Sequence, residues 1–145
     1  VAQPQTMRFG KFRVLLGNGA TPEVFTAPCG FTSRSFSRSK ELTDVTVPDC
    51  DDPDAPSHVA RDVRSLSSSI SGSGILAKSA LPVWEKAFES TESVNCRVEM
   101  DWGATKITYE QRFHISSMEL TADDGARVQL SIQMESDGAF KRTEA

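Results

Sequence analysis

Three cysteines, two histidines and one tyrosine are few reactive side chains for a chain of 145 residues. Cys29, Cys50 and Cys96 make an odd number and stand far apart. A disulfide framework shows an even count, and a zinc site shows closely paired cysteines or histidines. Reduced thiols are the plain expectation, with one disulfide as the alternative. His58 and His114 are widely separated and read as surface histidines. No serine lies in a Gly-x-Ser-x-Gly elbow: Ser71-Gly72-Ser73-Gly74 lacks the leading glycine and the strand-to-helix turn. No glycine loop is followed by the Lys-Ser/Thr that cradles phosphate. These absences argue against an enzyme, and neither a cofactor nor a metal is expected. No apolar run approaches the roughly 20 residues that span a bilayer, so membrane insertion is not expected. The first residues lack a basic-then-apolar export pattern. Cations are outnumbered, 16 Lys and Arg against 20 Asp and Glu, for a net charge of −4. A sequence-reading DNA binder is normally basic, because phosphate contacts supply most of its affinity.

Serine is abundant, and it is ordered. Every odd position from Ser65 to Ser73 is serine, while Leu66 and Ile70 occupy even positions. Alternate side chains of a strand point to opposite faces, so this stretch predicts a hydroxyl ladder on one face and a core on the other. Ser33, Ser35, Ser37 and Ser39 repeat the device, alternating with Arg34, Phe36 and Arg38.

Period-two alternation predicts seven strands in all, over 12–16, 23–27, 31–47, 63–76, 94–102, 105–120 and 126–136. Gly17-Asn18-Gly19 predicts the first turn and Asp124-Gly125 a hairpin. In 105–120 the apolar residues Ile107, Tyr109, Phe113 and Ile115 are odd, whereas Met118 and Leu120 are even; the phase slip predicts a bulge near Ser116-Ser117. One helix is expected over 79–90, capped by Ser79, with Leu81, Trp84, Ala87 and Phe88 as its apolar stripe. The segment 48–62 carries Pro48, Pro53 and Pro56 among Asp49, Asp51, Asp52 and Asp54. Three prolines exclude an interior strand, so this is a long exposed loop. A polar arm over 1–10 and a short tail around Phe140 over 139–145 complete a single domain, 1–145. The fold class is mainly β with α+β flavour: an antiparallel sandwich or flattened barrel with one flanking α-helix.

If the hairpins 31–47/63–76 and 105–120/126–136 join into one four-stranded sheet, its outward face collects the serine ladder, notably Ser65, Ser67, Ser69 and Ser71. Glu110, Arg112, His114 and Arg127 join that face, as do Gln129, Ser131, Gln133 and Glu135. Pairing of its edges with identical neighbours in a ring would close a barrel and turn this polar face to a pore. The rival reading is a monomeric β-sandwich binding module that uses the acidic 49–54 loop for calcium or carbohydrate.

The run Gly-Lys-Phe-Arg-Val-Leu-Leu-Gly, the Thr-Pro-Glu-Val-Phe-Thr hairpin and a serine-alternating strand before an acidic loop form a recognisable series. Arg-Ser-Leu-Ser-Ser-Ser-Ile-Ser-Gly-Ser-Gly then runs into a helix, and Ser-Ile-Gln-Met-Glu-Ser-Asp-Gly-Ala closes the series. The chain resembles, over 10–138, the major tail tube proteins of long-tailed bacteriophages and of gene transfer agents. The resemblance implies a tail-tube-like fold and hexameric rings stacked into a hollow tube that conducts double-stranded DNA from capsid to host cell. It implies that the loop, with Asp49, Asp51, Asp52, Asp54, His58 and Arg61, and the terminal arms bind the next ring. Expected partners are further copies of the chain, a tail terminator, a tape measure and baseplate or distal tail proteins. The expected location is the virion tail, after a period in the bacterial cytoplasm. The mixed signs of Arg112 and Arg127 beside Glu110 and Glu135 depart from a uniformly acidic lumen, a departure that pairing with carboxylates would largely neutralise.

Overall fold

The computed structural model describes residues 3–17 and 24–145. Among the described residues, a short 3-10 turn at Phe9–Lys11 is followed by eight strands and one helix. These are β1 (Phe12–Gly17), β2 (Phe25–Thr26), β3 (Phe31–Asp44), β4 (Arg61–Ile75), α1 (Leu81–Glu89), β5 (Val94–Asp101), β6 (Lys106–Thr121), β7 (Gln129–Ser136) and β8 (Lys141–Glu144). The strands form one antiparallel sheet in the order β2-β1-β5-β6-β7-β4-β3, with β8 on the edge of β6. The architecture is mainly antiparallel β with one helix, as the alternation indicates. The expected union of the two hairpins is present, because β7 pairs with β4 from Ser69↔Glu135 to Ile75↔Gln129.

The sheet curls on itself around a core of Ile70, Trp84, Cys96, Val98, Phe113 and Met134. β3 comes over β1, where the Arg34 guanidinium donates to the Phe12 carbonyl and lies 4.3 Å from the Phe9 ring centroid. A side chain thus bridges the open seam of a flattened barrel in place of a backbone ladder. Burial, with Arg13 nearby, lowers the pKa of Arg34 from its ordinary value.

The bulge falls where the phase slip places it: Ile115 faces Met134 and Ser117 faces Gln133. Asn18, Gly19 and Glu23 lie outside the described residues, so the first turn is not assessed. The loop is shifted from its expected place: β3 ends at Asp44, short of the expected 47, while β4 begins at Arg61, and Val45 N–H donates to the Ala60 carbonyl at the loop's base. Arg61 is therefore a strand residue.

Ser79 does not cap the helix. The N-cap position is Ala80, which offers no side-chain acceptor, and Pro82 occupies the first turn, where a missing amide is tolerated. Of the expected stripe, Trp84 is 2% exposed but Phe88 is 47% exposed, and Val83 packs on the core instead. Trp84 meets Phe31 edge-on, with ring centroids 5.4 Å apart. Trp84→Ala is expected to cost about 3–5 kcal/mol in chemical denaturation, with Trp84→Phe retaining most of that stability.

The chain end departs most from expectation. Instead of a polar tail, β8 pairs with β6 from Ile107↔Glu144 to Glu110↔Lys141. Phe140 stacks on Tyr109 at 5.3 Å, beneath the Arg38 guanidinium at 4.2 Å. The segment assigned to a neighbouring ring completes this subunit's own sheet.

Candidate functional site

Strand register decides which side chains share a face. Across β3 and β4, Ser37 faces Ser69, Ser35 faces Ser71 and Ser33 faces Ser73; across β4 and β7, Ser69 faces Glu135 and Ser71 faces Gln133. β6 adds His114 opposite Glu135, Ser117 opposite Gln133 and Glu119 opposite Ser131. Four strands thus present one outward polar face, opposite the side that carries Ile70, Ile132 and Met134. Ser65, Ser67, Ser69, Ser71, Gln129, Gln133 and Glu135 all lie on it.

Hydroxyl rungs tie this face together. Ser37 and Ser69 are joined at 2.7 Å, Ser39 and Ser67 at 2.8 Å, and the Ser65 hydroxyl donates to Glu41 at 3.2 Å. Gln133 donates to Glu135 at 3.2 Å. Short side chains that bond to one another leave a level, weakly polar surface. Glu135 and Glu41 are the carboxylates that face these serines, and Glu41 is paired with Arg64 of β4 at 3.2 Å.

Of the two expected arginines, Arg112 sits at the margin of this face and Arg127 sits elsewhere. Arg112 turns to Ser93, donating from Nε to its hydroxyl at 2.7 Å and from Nη2 to its carbonyl at 2.5 Å. Glu110, at the boundary with β5, accepts from Asn95 at 2.9 Å and stands 3.5 Å from Arg97. Neutralisation is by these neighbours, not by Arg112 pairing with Glu110. Arg127 does not belong to the face, because β7 starts only at Gln129; it lines a hollow with Ile75, Leu76, Lys78, Leu81 and Val128. His114 lies 3.1 Å from Asp137.

Asp49, Asp51, Asp52, Asp54 and His58 are exposed at the far end of the β3–β4 hairpin. The Asp49 carboxylate accepts from the Asp51 amide at 2.9 Å, and Asp44, at the loop's base, is held below the ordinary carboxylate pKa by hydrogen bonds from Thr46. Among the described residues no three His, Cys, Asp or Glu side chains gather as a metal-holding group. The same holds for long apolar helices: among the described residues none could cross a membrane.

Leu66 corrects the serine-strand reading. It shares a side with Ile70 but is 69% exposed, because β4 has 15 residues and β7 only 8. Beyond Ser68 the hairpin outruns the core. Its back face bares Leu42, Val63 and Leu66. Strand length was the signal in the sequence for this overhang. Ser68 itself is buried on the core side, donating to Gln111 at 2.5 Å.

A polar-faced sheet with a protruding hairpin defines an assembling structural subunit. The match to a family model says which one: residues 6–142 match the model for phage tail tube protein, and the chain belongs to that family. Its role is that of a structural virion component that builds tubes. The fold is similar to that of the tail of an empty gene transfer agent particle, solved by helical refinement with C6 symmetry (TM-score 0.76, 20% identity, covering 95% of this chain and 99% of that one). It is similar also to a chain of the native gene transfer agent virion (TM-score 0.72, 18% identity, 95% and 99% covered). The SPP1 tail tube gives a TM-score of 0.71 at 11% identity, with 97% and 80% covered. No curated protein sequence matches.

Proposed function

We propose that this chain is the major subunit of a hollow tail tube, built from stacked hexameric rings through which double-stranded DNA leaves the capsid. The carrying observation is a pair of open edges on the polar-faced sheet. Among the described residues, β3 pairs with β4 on one side only, and β6 runs past the end of β5 pairing at Phe113, leaving 114–121 with β7 alone. Open edges of this length pair with something or invite aggregation. Because the sheet has four strands in antiparallel alternation, rotation of a copy about an axis along the strands brings β3 beside 114–121 of its neighbour in antiparallel sense. An even strand number lets the alternation continue around a closed ring. The C6 symmetry of the gene transfer agent tail supports six copies.

In that ring the hydroxyl face surrounds the axis. Ser65, Ser67, Ser69, Ser71, Gln129, Gln133 and Glu135 line the lumen, with Glu110 and Arg112 at its margin. The 45–60 loop contacts the next ring. The role is structural and not enzymatic. Partners are other copies, a tail terminator, a tape measure and baseplate or distal tail proteins; the subunit passes from bacterial cytoplasm to virion tail.

Amide hydrogen exchange tests the edges. Alternate amides of β3, and those of 114–121 that point away from β7, are expected to exchange rapidly in the isolated subunit. In assembled tubes they should slow by several orders of magnitude. Fast exchange persisting at both edges in tubes would exclude closure by strand pairing.

A further inference from the structure

The two ends of the long sheet carry complementary surfaces. At one end the 45–60 loop holds Asp49, Asp51, Asp52 and Asp54 with no Lys or Arg, beside exposed Val47 (76%) and Val59 (61%). At the other end, where β4 stops, Ile75, Leu76, Leu81 and Val128 line an apolar hollow with Lys78 and Arg127. The backbone bond from Leu76 N–H to the Val128 carbonyl, 2.9 Å, fixes part of its wall. Neither cation of the hollow, and none of the four loop aspartates, enters an ion pair among the described residues. The nearby turn after β6 bears Asp123 and Asp124, but neither lines the hollow.

β4 separates these ends by 15 residues, roughly 45 Å of extended chain, so loop and hollow of one copy cannot meet. Resting on the tube reading above, we infer that the hollow of each subunit receives the acidic loop of the copy in the adjacent ring. Val47 and Val59 enter the apolar part, and the aspartates face Lys78 and Arg127. The contact joins unlike patches, so it propagates without closing, as an axial contact in a tube must. It also gives Arg127 a task outside the lumen and gives the exposed Ile75 and Val128 a cover.

The loop already carries a thiol. In full-length Cys29→Ser protein with Val128→Cys, a short bis-maleimide is expected to join Cys50 of one copy to position 128 of the next. The product should be a covalent ladder that extends past the ring size. Asp51→Lys with Asp52→Lys should weaken the ladder about ten-fold or more through like charge. Adding Lys78→Glu with Arg127→Glu should restore it. Absence of the ladder, failure of the reversed charges to restore it, or a ladder that stops at the ring size would overturn this receptor. Edge-amide protection without cross-linking leaves the ring reading intact and removes only this contact; cross-linking without edge protection does the reverse.

Discussion

Gly74→Ala is expected to unfold the subunit's working edge. A Cβ built at Gly74 lies 2.2 Å from the Gly30 carbonyl oxygen, 2.6 Å from Phe31 Cα and 2.7 Å from Thr32 N. All three are backbone atoms, so no side chain can swing aside. The start of β3 must move bodily, and it is pinned by the Ile75 N–H bond to Gly30 O at 2.9 Å and by the Phe31 ring against Trp84. Gly30 adds a constraint, since its φ of +101° suits few other residues. Overpacking without an escape costs about 3 kcal/mol or more, a fall in melting temperature of roughly 6–12 °C for a chain of this size. Gly72→Ala is the control. There the nearest atoms, at 3.0 and 3.1 Å, belong to the Phe31 ring, which need yield only a few tenths of an ångström; about 1 kcal/mol is expected. Equal costs for the two substitutions in denaturant titrations would contradict this account. Because β3 is also the proposed ring edge, the Gly74 variant should lose tubes under conditions where the Gly72 variant keeps them.

Where side chains alternate, the sequence was legible. The faces of β5 and β7 follow from period two, and the bulge follows from the shift of apolar parity between Ile115 and Met118. What failed has a common cause: burial depends on what lies opposite, which one strand does not record. Leu66 alternates like a core residue, yet β7 ends before reaching it. Lys141, Arg142, Thr143 and Glu144 are all exposed, so β8 offers no alternation at all; it is a strand because the β6 edge beside it is vacant once β7 ends. Glu99 is the converse case. A carboxylate on the polar parity of β5, it is nearly buried between Arg13 at 2.7 Å and Lys106 at 3.1 Å. Between β4 and β7, whose mutual register is regular, the alternating residues share one outward face. Arg127 precedes its strand, and Arg112 sits at the margin of the face, bonded to Ser93.

Ser71→Lys should spare the fold and slow the passage of DNA through the tube. Ser71 is exposed, faces Ser35 and Gln133, and has no carboxylate directly opposite. A lysine there extends from the sheet without displacing the core, so denaturation should match the parent within about 0.5 kcal/mol. In a ring the substitution is repeated by every subunit, and in a tube by every ring, which on the proposed lumen face makes a ladder of cations. Each lysine that binds a phosphate releases counterions, and affinity falls steeply with salt. With six or more contacts engaged, DNA retention should weaken on the order of 10³-fold between 50 and 200 mM salt. Tubes of normal length should therefore form, and particles should empty slowly at low salt and more rapidly as salt rises. Ser71→Gln, polar but uncharged, should empty like the parent. Particles bearing lysine that empty at the parental rate at every salt concentration would place this face away from the DNA path. A variant that folds but never forms tubes would move Ser71 from the lumen to a subunit contact.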